Sequence, residues 1–251
     1  MKKEEDISFS KLFHLASKNS PDAMPPKKGA IKTEPQEWHT TYYKKYPRTP
    51  KIVLPQDTSA SSRPIFSAIA ERLSRSDFSS EAMSISELSN LLRFSCGETS
   101  LMDENRKRRA HPSAGARFPI EIYPFILRSG KNIKSGIYHY DPETHQLDFL
   151  LDHAFTDEEL SRIFILPNCK NASMLLVLTA VFWRMQNKYG ERGYRHILIE
   201  AGHIGQNVYL AAGALNLKCV AVSGIRDTVV EKFIGIDGVE ESFVHSLAVG
   251  K

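Results

Sequence analysis

Little in this sequence could serve as a covalent or metal scaffold. Its 251 residues hold three cysteines, Cys96, Cys169 and Cys219. They lie far apart without a CxxC pair, which excludes a secreted disulfide framework and a thiolate zinc cage. Long hydrophobic runs are missing as well. The longest, Met174 to Trp183, contains Thr179 and falls well short of the roughly twenty residues that span a bilayer. Charge of one sign is scarce: 33 Lys and Arg against 29 Asp and Glu leave +4. That excess can favour an anionic ligand but does not single out nucleic acid. The opening MKKEEDISFSKLFHLASK mixes acids with lysines and has no continuous apolar stretch, so no signal peptide is expected and the chain reads as soluble and cytoplasmic. GxGxxG, GxxxxGK[ST] and GxSxG are all absent, so no dinucleotide fold, P-loop or nucleophile elbow is signalled.

What is present is an ordinary globular composition, 41% hydrophobic and 25% charged. A chain of this length buries about 70% of its unfolded surface and needs no covalent staples. Between residues 20 and 64 there is one glycine, Gly29, while eight of the thirteen prolines fall there: Pro21, Pro25, Pro26, Pro35, Pro47, Pro50, Pro55 and Pro64. Proline fixes φ and disfavours helix before it. Residues 1–63 therefore read as an extended arm with few regular elements. Trp38, Tyr42, Tyr43, Tyr46 and Ile52-Val53-Leu54 are too apolar for a solvated tail, so the arm is expected to lie over the body or over a partner subunit.

Residues 64–251 read as the main domain. Ile65, Ile69 and Leu73 share a helical face, and a second helix is expected from Ser86 as N-cap through Leu88, Leu91 and Leu92. Glu121 to Leu127, Gly136 to Tyr140 and Gln146 to Leu151 read as strands, the last two joined by the Asp141-Pro142 turn. Thr156 caps a helix over 157–164, and Met174 to Phe182 reads as a central strand buried on both faces. A long helix over 194–215, a strand over 218–222, a helix over 227–234 and a strand over 243–249 complete an α+β pattern without a βαβ repeat.

His196, Glu200 and His203 are spaced to share a helix face, as a metal site requires, yet no HExxH accompanies them and helix packing is the preferred reading. Arg106-Lys107-Arg108-Arg109 lacks an aromatic platform and reads as a solvated loop or a guard of positive charge near an anionic ligand.

Three segments, spread over most of the chain, agree with one another. Arg72-Leu73-Ser74-Arg75-Ser76-Asp77 follows a helix with the charge and hydroxyls that suit a phosphate. Pro112-Ser113-Ala114-Gly115-Ala116-Arg117-Phe118-Pro119 is a small-residue loop before a strand, open enough for backbone N–H groups to approach a flat ring. Glu200-Ala201-Gly202-His203-Ile204-Gly205-Gln206-Asn207 lies on the long helix, with Val222-Ser223-Gly224-Ile225 beyond it. In this order, and with Gly136-Ile137-Tyr138-His139-Tyr140-Asp141-Pro142, they resemble the SagB-type dehydrogenases, the azoline oxidase branch of the nitroreductase-like FMN enzymes. The resemblance runs over about 64–250 and extends to His14 and Tyr46-Pro47-Arg48 in the arm.

The resemblance implies a nitroreductase-like α+β fold, a central mostly antiparallel sheet flanked by helices, and a homodimer with FMN at its interface. By position, Arg72, Ser74 and Ser76 belong to the stretch that holds the FMN phosphate or ribityl chain, although Ser76 stands where a second basic residue is usual. Ser113, Ala114 and Gly115 border the isoalloxazine, and Ser223 and Gly224 lie by its N5 and O4 edge. Lys251, or another arginine, is left to supply the basic phosphate ligand that relatives bring from beyond the last strand. Lys188 and Tyr189 resemble the Lys-Tyr pair of azoline oxidases, which implies proton removal from a thiazoline or oxazoline in a peptide, with hydride transfer to flavin N5. A nearby cation or burial is expected to bring their ordinary pKa of about 10 into a useful range. A YcaO-type cyclodehydratase is the implied partner. Two alternatives stay open: an NAD(P)H-dependent reductase of a small molecule, and a flavin-free scaffold subunit of a peptide-modifying complex.

Overall fold

The computed structural model describes residues 8–18, 34–56, 63–103, 106–165 and 167–251; the arm prolines Pro21, Pro25 and Pro26 lie outside the described residues. The arm contributes helix α1 (Phe9–Ala16) and strand β1 (Lys51–Val53), and α2 (Ile65–Ala70) and α3 (Ile85–Cys96) follow. A hairpin of β2 (Glu98–Leu101) and β3 (Lys107–Arg109) leads to β4 (Ile120–Ile126), β5 (Gly136–Asp141), β6 (Gln146–Asp152) and α4 (Asp157–Ile163). Then come β7 (Met174–Val181), α5 (Trp183–Tyr189), α6 (Arg192–Ala214), β8 (Lys218–Ala221), α7 (Asp227–Ile234) and β9 (Glu241–Gly250).

Seven strands form one sheet in the order β1-β6-β5-β4-β7-β9-β8, and every adjacent pair is antiparallel. The apolar run of β7 sits at its centre between β4 and β9. Side chains alternate across a strand, so Met174, Leu176, Leu178 and Ala180 enter one core and Leu175 and Val177 the other. On the first face α3 supplies Leu88, Leu91 and Leu92, and α6 supplies Ile197, Ala201, Ile204, Val208 and Ala212, a spacing of threes and fours. Leu160 and Ile163 of α4 and Val230 of α7 cover the second face. Each such fully buried aliphatic contributes about 1.5–3 kcal/mol.

The N-cap of α3 is Ser84 rather than Ser86: Ser84 and Glu87 form a reciprocal capping box, which satisfies two orphan N–H groups at once. The shared apolar face of Ile65, Ile69 and Leu73 points outward. Ile65 is 56% exposed, Phe66 83%, Ile69 52% and Leu73, beyond the helix end, 67%; only Ala68 of this helix is buried. The basic run is not a solvated loop either. Lys107–Arg109 form a strand against Glu98–Leu101, and the Arg109 guanidinium packs 4.5 Å from the Phe118 ring centroid. Gly190, at φ +54, separates α5 from α6.

The described arm lies extended over the sheet, held by ion pairs. Lys44 bonds Glu241 and Tyr123, Lys45 bonds Asp141 (2.7 Å) and Glu143 (2.5 Å), Tyr43 bonds Glu98, and Lys51 bonds Asp148. β1 adds an edge to β6. No helix among the described residues is long and apolar enough to cross a membrane.

Candidate flavin site

The first group of site residues gathers at the turn after β3. Ser113 Oγ accepts the Phe118 N–H at 2.9 Å and the Ser113 carbonyl accepts from Ala116 at 3.1 Å. The turn passes through the left-handed region at Gly115 (φ +63), Ala116 (φ +53) and Phe118 (φ +45). Glycine is required at 115 for a second reason: a Cβ there would lie 2.6 Å from the Tyr189 hydroxyl. The two segments singled out in the sequence, Ser113-Ala114-Gly115 and Lys188-Tyr189, are thus packed together.

Tyr189 closes α5, and its ring meets His196 of α6 edge-on at 5.1 Å. Lys188 Nζ stands 5.2 Å from the Trp38 ring centroid of the arm and 5.9 Å from that of Tyr189. Burial raises the Tyr189 phenol above its ordinary pKa of 10, and the positive charge of Arg117 only partly offsets this. Here the expectation from the sequence was wrong: burial penalises phenolate and works against the cation. Arg117, to which the sequence pattern assigned no role, is the anchor of the group. It bonds the carbonyls of Arg184 (2.8 Å) and Glu37 and the Asn187 side chain (3.0 Å). Its signal was available as the lone charge in an otherwise small and apolar loop.

A second group forms around Tyr209 of α6. Its hydroxyl meets Ser74 Oγ at 3.0 Å and accepts the Ala221 N–H at 2.7 Å, so it joins the 72–74 segment to the end of β8. The Arg72 guanidinium lies 5.4 Å from the Tyr209 ring and reaches Ser74 at 3.5 Å. Arg72 and Tyr209 line a cleft of about 320 Å³ with Arg63, Glu71, Arg75 and Lys218. Arg75 forms a two-point pair with Asp77 (3.1 and 2.6 Å), and Lys218 pairs with the same carboxylate at 3.2 Å. Hydrogen bonding from Arg75 holds the Asp77 carboxyl far below its ordinary range. Among the described residues no carboxylate pairs with Arg72.

Ser76 is half-buried between Arg75 and Asp77. Ser223 is exposed and Gly224 half-buried just beyond β8, where the Gly224 carbonyl accepts from Ile165 at 2.7 Å. Lys251 meets neither group: Nζ is 3.7 Å from Glu87, and its carbonyl accepts from Ser79 at 2.7 Å. His196, Glu200 and His203 do not converge. Glu200 is buried against His111 at 3.3 Å while His203 is exposed, and among the described residues no cluster suited to a metal exists. All three cysteines are buried and free; burial pushes the Cys96 and Cys219 thiols up to about 12.

The residues present fit FMN. Arg72, with no carboxylate paired to it among the described residues, and Ser74 offer a cation and a hydroxyl for a phosphate, and the turn carries no side chain at Gly115, where the Tyr189 hydroxyl lies alongside. The sheet is antiparallel throughout, and the two groups meet α6 at His196 and at Tyr209. The chain belongs to the nitroreductase family, an oxidoreductase family, whose sequence profile matches residues 69–251.

It is 33% identical over 172 residues to MJ1384 of Methanocaldococcus jannaschii, which carries a nitroreductase designation; the match covers 67% of this chain and 82% of that one. It is 32% identical to the trifolitoxin-processing protein TfxB of Rhizobium leguminosarum bv. trifolii and 30% to the microcin B17-processing protein McbC of Escherichia coli. Those matches cover 57% and 54% of this chain but only 39% and 51% of the relatives. Among solved structures, a nitroreductase-designated protein of Anabaena variabilis has the same fold at TM-score 0.69 and 22% identity, covering 97% of this chain and 46% of that one. The E. coli microcin synthetase McbBCD complex matches at TM-score 0.61 and 24% identity, covering 95% and 86%. A nitroreductase-designated protein of Exiguobacterium sibiricum, in complex with FMN, matches at 0.54 and 12%, covering 77% and 90%.

Proposed function

We propose that the protein is an FMN-dependent dehydrogenase of the SagB type that oxidises a thiazoline or oxazoline in a peptide to the azole. The observation that carries this reading is the contact of the Tyr189 hydroxyl with Gly115, which sets the Lys188–Tyr189 pair against the turn proposed to border the flavin ring. The peptide-processing designations of TfxB and McbC support the substrate class. The match to the microcin synthetase McbBCD complex with truncated pro-MccB17 bound supports work within a peptide-modifying assembly, for which the sequence resemblance implies a YcaO-type cyclodehydratase.

Bound FMN supplies the two-electron acceptor for such an oxidation. The chain's own residues bind and prepare. Arg72 and Ser74 would hold the phosphate end, while the Ser113–Gly115 turn would border the ring. Lys188 and Tyr189 take the proton from the azoline ring carbon. Both site groups lie along α6, at His196 and at Tyr209, about 20 Å apart at 1.5 Å per residue. One chain therefore presents two half-sites, and a homodimer that sets one copy's Arg72 cleft against the other's Gly115 turn completes each. The exposed Ile65, Phe66, Ile69 and Leu73 beside that cleft suit such an interface.

The test is direct. Purified protein carries about one FMN per chain and converts an azoline-containing peptide to the azole with consumption of oxygen. Tyr189→Phe and Lys188→Ala keep the flavin and lose turnover; a colourless protein that takes up no FMN ends the proposal. The similarity to MJ1384 across 82% of its length favours, as a second reading, an NAD(P)H-dependent reductase. Rapid anaerobic bleaching of the flavin by NADPH selects that reading instead.

A further inference from the structure

Arg117 is 1% exposed, and a guanidinium at that depth ordinarily meets a carboxylate. Its partners here are all uncharged: the carbonyls of Arg184 and Glu37 and the amide oxygen of Asn187. The adjacent buried arginine behaves differently, since Arg184 has Glu121 at 2.5 Å. Arg184 is neutralised in direct contact, whereas among the described residues no carboxylate is bonded to Arg117 and the Glu37 carboxylate acts on it only through space. The acceptors of Arg117 lie on α5 and on the arm, and its own side chain leaves the turn beside Gly115. A Cβ built on that glycine would be 2.6 Å from the Tyr189 hydroxyl and 3.7 Å from Arg117 Cγ.

We propose that Arg117 is the positioning residue of the Lys188–Tyr189 pair, its charge placing positive potential on the Tyr189 hydroxyl while its three bonds fix α5 against the turn and the arm. The inference rests on the reading of Tyr189 as a proton-transfer group and adds the residue that makes it usable. The surroundings of Tyr189 leave this task to Arg117. Glu34 of the arm pushes the phenol up, as burial does, and Arg117 opposes both. His196 of α6 is held below its ordinary pKa by burial and by Arg192, which disfavours a second cation beside the phenol. Lys188 Nζ stands over the ring faces of Trp38 and Tyr189, 5.2 and 5.9 Å from their centroids, and not at the hydroxyl.

Two substitutions separate charge from clamp. Asn187→Asp is isosteric: it keeps the bond to Arg117 and cancels the charge. Arg117→Lys keeps the charge and loses the fork. The readout is the titration of the Tyr189 Cζ resonance in holoprotein labelled at tyrosine Cζ, assigned by its absence from Tyr189→Phe. The expected result is a midpoint higher by about one pH unit or more in Asn187→Asp and a titration close to the parent's in Arg117→Lys. Where turnover is measured at fixed pH, Asn187→Asp slows about tenfold for each pH unit by which the midpoint rises. Equal displacements in the two variants, an unchanged midpoint in both, or a displacement in Arg117→Lys alone would overturn the electrostatic role. The titration needs no turnover, so a parent protein that oxidises no azoline sinks the functional reading separately and leaves this test standing.

Discussion

Tyr189 enters the site with its proton held more tightly than in free tyrosine, because burial outweighs the nearby cation. If its phenolate, directly or through Lys188, accepts the substrate proton, log kcat/KM must rise with pH at a slope near one through the neutral range, about tenfold per unit. A pH–rate profile checks this, and the limb should vanish in Tyr189→Phe. Gly115 permits a sharper test. An alanine there must adopt φ near +63 and put its Cβ 2.6 Å from the Tyr189 hydroxyl. The expected cost of Gly115→Ala is roughly 1–3 kcal/mol of stability, read from denaturant unfolding, with a loss of turnover larger than the loss of fold explains because Tyr189 is displaced. Parent-like turnover in that variant would separate the turn from the chemistry. The Ser-Ala-Gly and Lys-Tyr segments were legible one by one in the sequence. Their contact was not, since 74 residues separate Gly115 from Tyr189 and no local pattern encodes it.

Elements with a sustained period were equally legible: α6, α7 and β7 fall within a few residues of expectation. β1, the β2–β3 hairpin and α5 were not, being short and held by partners distant in sequence. β1 pairs with β6, about 95 residues on, and α5 is anchored by Arg117. The apolar face of α2 was legible as a face, but its exposure was not, since it lacks a partner in the described chain. Beneath the arm, polar residues do what apolar ones do elsewhere. Buried His139 lies between Glu121 (2.7 Å) and Asp148 (3.0 Å), Glu121 also meets Arg184, and Lys51 of the arm meets Asp148. Burial alone would raise the Glu121 carboxyl, but Arg184 and His139 bring it down to about 2. A depressed carboxylate stabilises the fold fully above its unfolded pKa and loses that contribution as pH falls through the folded one. Thermal unfolding followed against pH should therefore show Tm declining between about pH 4.5 and pH 2. In Glu121→Gln that part of the decline should be missing, from a lower starting Tm because Arg184 is left unpaired.

At the scale of the whole molecule, the separation of the two half-sites along α6 makes assembly testable without a structure of the dimer. Suppose each complete site combines the Arg72 cleft of one copy with the Gly115–Tyr189 group of the other. Arg72→Ala then damages one half-site and Tyr189→Phe the other, and either homodimer has two defective sites. In a heterodimer of the two variants both lesions fall in the same site, and the second site is built wholly from undamaged residues. Unfolding and refolding an equal mixture gives heterodimers as about half of all dimers, each with one working site of two. Mixing two inactive proteins should thus restore about a quarter of the parent activity. If instead a single chain supplied the whole site, every site in the mixture would carry one lesion and no activity would return. Co-refolding followed by turnover per bound flavin distinguishes these outcomes, with the unmixed variants refolded in parallel as controls.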